Sequence, residues 1–306
     1  MPFLKRTRLS LLEVRALIKK IFIWTTIIAL ISLFFLSRKE LFAEAFSADK
    51  PAMSFPEKLT EDGCLGLNYH RVQDDALFVK SARTVLQSNE LVQYSVLKSE
   101  FQAQIDALVE AGANFLNEEQ LLKAKEDGDF PEKCAWISFD DIDVSVYDNA
   151  FPILKEANVP FTMFVIAGQV GNKDFSNLEM ATWDQLREMK DSGLADFGSH
   201  TFDMHRFEGE TPVFLVPGQA DAFREDLKKS VEMIESELDV TVKSFAYPYG
   251  NTNERVARIL KEQDLEAGHI LAPQVIRPAD DNYWINRVIV NQTTFDDVLL
   301  PYLEKN

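Results

Sequence analysis

Asp140 and Asp141 stand side by side at the end of an apolar run, Ser138-Phe139-Asp140-Asp141. Successive strand residues point to opposite faces, so both carboxylates serve one site only if the strand stops there and the chain turns. An Asp-Asp pair in a strand-to-helix loop also makes a helix cap, and the pair alone leaves both readings open. His200 and His205 are five residues apart, which on a helix would set them about 140° apart, too far for one face. A strand end followed by a loop can fold both imidazoles onto one ion, and the chain has four histidines in all. Two imidazoles with one carboxylate, from Asp140 or Asp141, leave open positions on Zn2+ for water and substrate. In a third segment, 244–251 (SFAYPYGN), Pro248 and Gly250 bend the chain after another apolar run. Such a turn is either plain structure or a means of presenting a backbone N–H to a developing oxyanion.

Those residues need strand ends to hold them. Short apolar runs read as strands near 64–69, 134–139, 160–166, 194–199, 242–247, 268–271 and 284–290. Helical spacing falls between them at 98–111, 144–156, 182–192, 220–238, 254–262 and 295–303, with a Thr182-to-Gln185 capping box opening the third. About seven strands alternating with helices predict a parallel α/β fold in one domain, either an open sheet or a barrel, with polar residues just after the strands as the chemical ones. Asp196 lies four before His200, so alternation puts both on one face; it would orient a ligand or be solvated.

In this order the three segments are similar to those of the NodB-type polysaccharide deacetylases (carbohydrate esterase family 4), over about 63–300. Asn68-Tyr69-His70-Arg71-Val72, the stretch WISFDDIDVSVYDNAFPILK (136–155) and the five-residue histidine spacing most resemble the branch acting on biofilm poly-β-1,6-N-acetyl-D-glucosamine. The resemblance implies a distorted (β/α) barrel. It also implies Asp140 as general base, Asp141, His200 and His205 as metal ligands, the Tyr249 N–H as oxyanion donor and His70 as the acid that protonates the leaving amine. The implied cofactor is a divalent ion, Zn2+ before Co2+, Ni2+ or Fe2+, which would lower the pKa of a bound water toward about 7. Other polymers (peptidoglycan, chitin, xylan) and a noncatalytic glycan-binding module remain the rival expectations. His269, followed by Ile270-Leu271, reads as structural. Two departures stand out: Ile142 where many relatives have Gly, and no Arg ahead of the Pro-Tyr-Gly turn, which leaves Arg277 and Arg287 as candidates to tether Asp140.

Composition narrows the partners. The chain has 306 residues, 46% of them hydrophobic, enough for a sizeable core. Its net charge is −17, and residues 1–40 carry eight basic and two acidic side chains, leaving −23 on the rest. Such a body repels phosphate backbones, so nucleic acid is a poor partner. Residues 21–36 (IFIWTTIIALISLFFL), behind a basic 1–20, read as a hydrophobic helix: a signal anchor, or a signal-peptide core cleaved near Ala43-Glu44-Ala45. A linker at 37–62 and a deacetylase domain at 63–306 would then lie outside the membrane, anchored or secreted. Cys64 precedes His70 by six residues and Cys134 precedes Asp140 by six, so the two thiols should sit at similar depth, where a disulfide can form.

Overall fold

The computed structural model describes residues 58–76 and 92–305, with Arg15, Lys19 and Val79 as isolated positions. The chain divides into two compact units, Met1–Ala52 and Met53–Asn306. The strands and the helices named below all lie in the second. The apolar run 21–36 and the candidate cleavage site fall outside the described residues. Among those that are described, no helix is long and apolar enough to cross a membrane.

Seven strands carry the site: β1 (Leu65–Tyr69), β2 (Cys134–Asp140), β3 (Phe161–Val165), β4 (Ala195–Ser199), β5 (Ser244–Ala246), β6 (Ala267–His269) and β7 (Val288–Ile289). All pair in parallel, in the order β6-β5-β4-β3-β2-β1-β7, and form a half-barrel. An isolated bridge between His269 and Ile285 joins β6 to the segment that leads into β7, with Ile270 N donating to Ile285 O at 2.9 Å. The longer helices among the described residues are α1 (Lys98–Glu110), α2 (Glu118–Asp127), α3 (Phe151–Ala157), α4 (Trp183–Asp191), α5 (Ala220–Leu238), α6 (Glu254–Glu262) and α7 (Leu300–Lys305). The expected box opens α4: Thr182 N donates to Gln185 Oε1 at 2.8 Å and Gln185 N to Thr182 Oγ1 at 3.3 Å.

Alternation along each strand splits the interior into two cores. On β2, Ala135, Ile137 and Phe139 join the large core that packs under the helices. Cys134 and Trp136 join a smaller cluster with Cys64, Phe164, Ala246, Ala267, Ile276 and Ile285, enclosed by the strands. Period two then carries Ser138 and Asp140 onto the enclosed side, above Trp136. On β1 the outward set is Leu65, Leu67 and Tyr69, so Gly66, Asn68 and His70 face in. Cys64 and Cys134 form a disulfide at the far end of these two strands.

The sequence expectation and the structure differ in several elements, among them the following three. The helix expected at 144–156 starts as a π-helical turn, Val146–Ala150, because Pro152 has no N–H to give Asp148 and Phe151 N reaches back to Val146 O. The strand expected at 284–290 shrinks to Val288–Ile289, since Ile285 pairs with β6 while Val288 and Ile289 pair with β1. Helix α2 was not expected: few of its residues are apolar, and it is announced mainly by its Asn117–Gln120 capping box.

Candidate metal centre and active site

The chain turns where β2 ends. Asp141 (φ 75°) and Ile142 (φ 67°) both take the left-handed conformation, which swings Asp141 back toward the cavity that Asp140 faces. A β-branched residue rarely adopts this geometry. Ile142 is held there by full burial and by its carbonyl, which accepts from Ala181 N at 2.9 Å. Here lies the reason glycine is suited to this position.

Asp141, His200 and His205 converge. Asp141 Oδ1 lies 3.5 Å from His200 Nε2 and 3.3 Å from His205 Nε2, and all three potential ligand atoms fall within 4.8 Å of one another. His200 continues β4, where its backbone N donates to Val165 O at 2.9 Å, and its Nδ1 is 2.7 Å from Ala246 O. A carbonyl only accepts, so the proton sits on Nδ1 and the Nε2 lone pair faces the cavity. Asp141 Oδ1 is buried and makes no well-formed hydrogen bond among the described residues. An orphaned carboxylate oxygen facing two imidazole nitrogens is a donor set that fits a divalent cation.

Electrostatics follow from burial. Burial pushes the Asp141 carboxyl up, yet His205, His200 and His70 outweigh it and hold it well below the usual carboxylate range. Burial pushes His205 down to about 4. For His200, burial is outweighed by Asp141 and Asp140, and the net shift is upward.

Asp140, 1% exposed, is gripped by Arg287, which is fully buried. Nη1 donates to Oδ1 at 2.7 Å and Nη2 to Oδ2 at 2.9 Å, the bidentate fork that guanidinium and carboxylate geometry favours. Nη1 also reaches Ser138 Oγ at 3.1 Å, and the guanidinium lies 5.0 Å from the Phe164 ring centre. Burial raises the Asp140 carboxyl, but Arg287, with His200 and His70, brings it below its ordinary value. This resolves the two arginine candidates: Arg277 instead pairs with Asp280 and Glu61. The signal for Arg287 was present in WINRVIV (284–290), a lone charge within an apolar run that requires an internal partner.

His70 directly follows β1 beside these groups. Its ring meets Tyr94 at 5.0 Å between centroids, and its buried Nδ1 has no hydrogen-bond partner among the described residues. Burial lowers its pKa, against the pull of Asp141 and Asp140 toward the protonated form. Tyr249 sits in the Pro248–Gly250 turn at φ 62°, its ring 4.7 Å from that of His205 and 4.1 Å from that of Phe207. Gly250 (φ 71°) is required there, since a Cβ would lie 2.3 Å from Leu271 Cβ.

Two histidine neighbours behave differently. His269 is fully buried, its Nε2 2.6 Å from Glu118 Oε1, and packs on Trp136 and Phe164, as a structural residue would. Asp196 does not orient His200. Four strand residues separate them by about 13 Å along the chain, and Asp196 Oδ2 instead accepts from Glu118 N at 3.1 Å, at the start of α2. The main-chain carbonyl of Ala246 fixes the His200 ring in its place.

A model of the family described as "Polysaccharide deacetylase" matches residues 127–268. A Staphylococcus epidermidis protein named poly-beta-1,6-N-acetyl-D-glucosamine N-deacetylase is 36% identical over 243 residues, 79% of this chain and 84% of that protein. The chain belongs to the polysaccharide deacetylase family. A Staphylococcus aureus protein of the same name is 35% identical over 246 residues, covering 80% of this chain and 85% of that one. Among solved structures, IcaB from Ammonifex degensii superposes with a TM-score of 0.71 at 32% identity, covering 81% of this chain and 99% of that one. The half-barrel and its cavity are thus those of a deacetylase.

Proposed function

We propose that this chain is a metal-dependent hydrolase that removes N-acetyl groups from extracellular poly-β-1,6-N-acetyl-D-glucosamine. The observation that carries the reading is the convergence of Asp141, His200 and His205 beside an Asp140 carboxylate clamped by Arg287. The names of the staphylococcal relatives, matched along most of their length, support the polymer. Asp141, His200 and His205 would hold a divalent cation, Zn2+ by the mixed nitrogen and oxygen donors. When bound, such an ion supplies a Lewis acid for the acetamide carbonyl and for water.

The chain's own residues supply the proton transfers. Asp140, kept ionised by Arg287, accepts the proton that water loses as its oxygen bonds to the carbonyl carbon. The Tyr249 N–H steadies the developing oxyanion. His70 then gives its proton to the nitrogen as the C–N bond breaks, releasing acetate and leaving an amine on the polymer. The Cys64–Cys134 disulfide supports a location outside the cytosol. With it we read 21–36 as an export signal or anchor, 37–62 as a linker and 63–306 as the deacetylase domain.

The polymer is tested by acetate release from defined oligosaccharides. The β-1,6-linked N-acetylglucosamine oligomers should be turned over faster than β-1,4-linked ones of equal length, at least tenfold in kcat/KM. Equal or faster turnover of the β-1,4 series would replace the polymer named here.

A further inference from the structure

The loop between the two histidines follows neither a strand nor a helix, so its main-chain polar groups need partners from elsewhere. Two of its carbonyls are met from the 3-10 turn Ala167–Gln169 that follows β3: Ala167 N donates to Thr201 O at 3.1 Å and Gly168 N to Phe202 O at 2.9 Å. The approach is close, since a Cβ on Gly168 would lie 2.4 Å from Phe202 O. Arg206 Nη1 donates to Asp203 O. Two of its amides are met by one side chain on α5. Phe202 N donates to Asp226 Oδ2 at 2.7 Å and Asp203 N to Asp226 Oδ1 at 2.8 Å.

We infer that Asp226 is a positioning residue for the metal centre, holding the loop that aims His205 at Asp141. Its carboxylate bridges consecutive amides at charge-assisted lengths. It acts where the loop is least able to hold itself: Thr201 has φ 79°, a strained conformation for a β-branched residue. The same face of α5 makes two further attachments. Lys229 Nζ lies 3.7 Å from the Phe202 ring centre, and Ser230 Oγ is 2.8 Å from Ser199 Oγ, just ahead of His200. Helix α5 therefore holds the chain just before His200 and the middle of the turn that leads to His205, while Asp226 itself is bonded to the loop amides and not to the three ligand side chains.

This inference rests on Asp141, His200 and His205 being the metal ligands. Its test is the Zn2+ dissociation constant of the metal-stripped chain, measured by competition with a chromophoric chelator, with the thermal midpoint recorded for each variant. Asp226→Ala should weaken Zn2+ binding about 10–100-fold, in the range seen when supports of metal ligands are removed. Asp226→Asn, which keeps one acceptor oxygen, should fall between that variant and the wild type, and serves alone if Asp226→Ala does not fold. Ile234→Val, buried two turns along the same helix and away from the loop, controls for general destabilisation and should leave Zn2+ affinity unchanged. Affinity within twofold of wild type in the Asp226 variants, or an equal loss in Ile234→Val, would overturn the inference and leave the proposed function standing. A wild-type chain that binds no Zn2+ would overturn both.

Discussion

Asp140 shows how a single residue's environment sets its chemistry. Burial alone would favour the protonated acid, and Arg287 reverses that preference through two short hydrogen bonds. Because the folded-state pKa is depressed, the pair contributes stability above the carboxyl's unfolded pKa and loses it as pH falls through the folded value. In Arg287→Met the sign inverts: burial is no longer opposed by the guanidinium, and an ionised Asp140 becomes a cost at neutral pH. The variant should lose about 3–5 kcal/mol at pH 7, and the deficit should narrow toward pH 4 in denaturant titrations. The acid limb of its kcat/KM profile should also move to higher pH. An unshifted limb would mean that Asp140 does not set it. The carboxylates and histidines were legible because their types and spacing are chemical. Arg287 was legible only as one of two candidates, since the choice depends on which strand neighbours β2 across the cavity.

At the scale of elements, the site is made where strands stop. Asp141, Ile142, Thr201 and Tyr249 all have positive φ, so three separate strand ends turn through the left-handed region to face one cavity. Sequence marked the third of these through Pro248 and Gly250 and the first through the paired carboxylates and the glycine that many relatives carry in place of Ile142, while Thr201 gave no such sign, because its side chain argues against the conformation it adopts. Gly250→Ala tests how tightly the third turn is held. A Cβ there meets both a positive φ and Leu271, so the variant should lose more than about 1 kcal/mol in chemical denaturation, with KM rising as Tyr249 shifts. A neutral variant would show that the turn tolerates ordinary residues. Most strands were readable from their apolar runs. Helix α2 was not, because its stability comes from the cap and from what Glu118 does inside the fold: Oε1 meets His269 and Oε2 accepts from Ser244 Oγ at 2.7 Å.

At the scale of the molecule, the enclosed core runs from the disulfide, through Trp136, to the reactive rim. Six strand residues separate Cys134 from Asp140, about 20 Å of chain, so the cross-link stabilises without touching the chemistry. It joins residues 70 apart, a closure worth about 4 kcal/mol in the chain-entropy account. Reduction should therefore lower the thermal midpoint while leaving Zn2+ affinity and turnover at 25 °C nearly unchanged. Loss of activity in a reduced chain that is still folded would contradict the depth assigned to the two cysteines. That depth was readable from the matching six-residue offsets. The bond itself was not, because it depends on β1 and β2 being neighbours in register, as Leu65 and Ala135 are.

The most direct measurement is acetate release from β-1,6-linked N-acetylglucosamine oligomers by three samples: the chain stripped by chelator, the same chain restored with Zn2+, and Zn2+-loaded Asp140→Asn. Restoration should return activity to the stripped chain, and Asp140→Asn should bind Zn2+ with near wild-type affinity yet lose at least about 100-fold in kcat. Acetate release that is indifferent to chelator, or an Asp140→Asn variant as fast as wild type, would contradict the account.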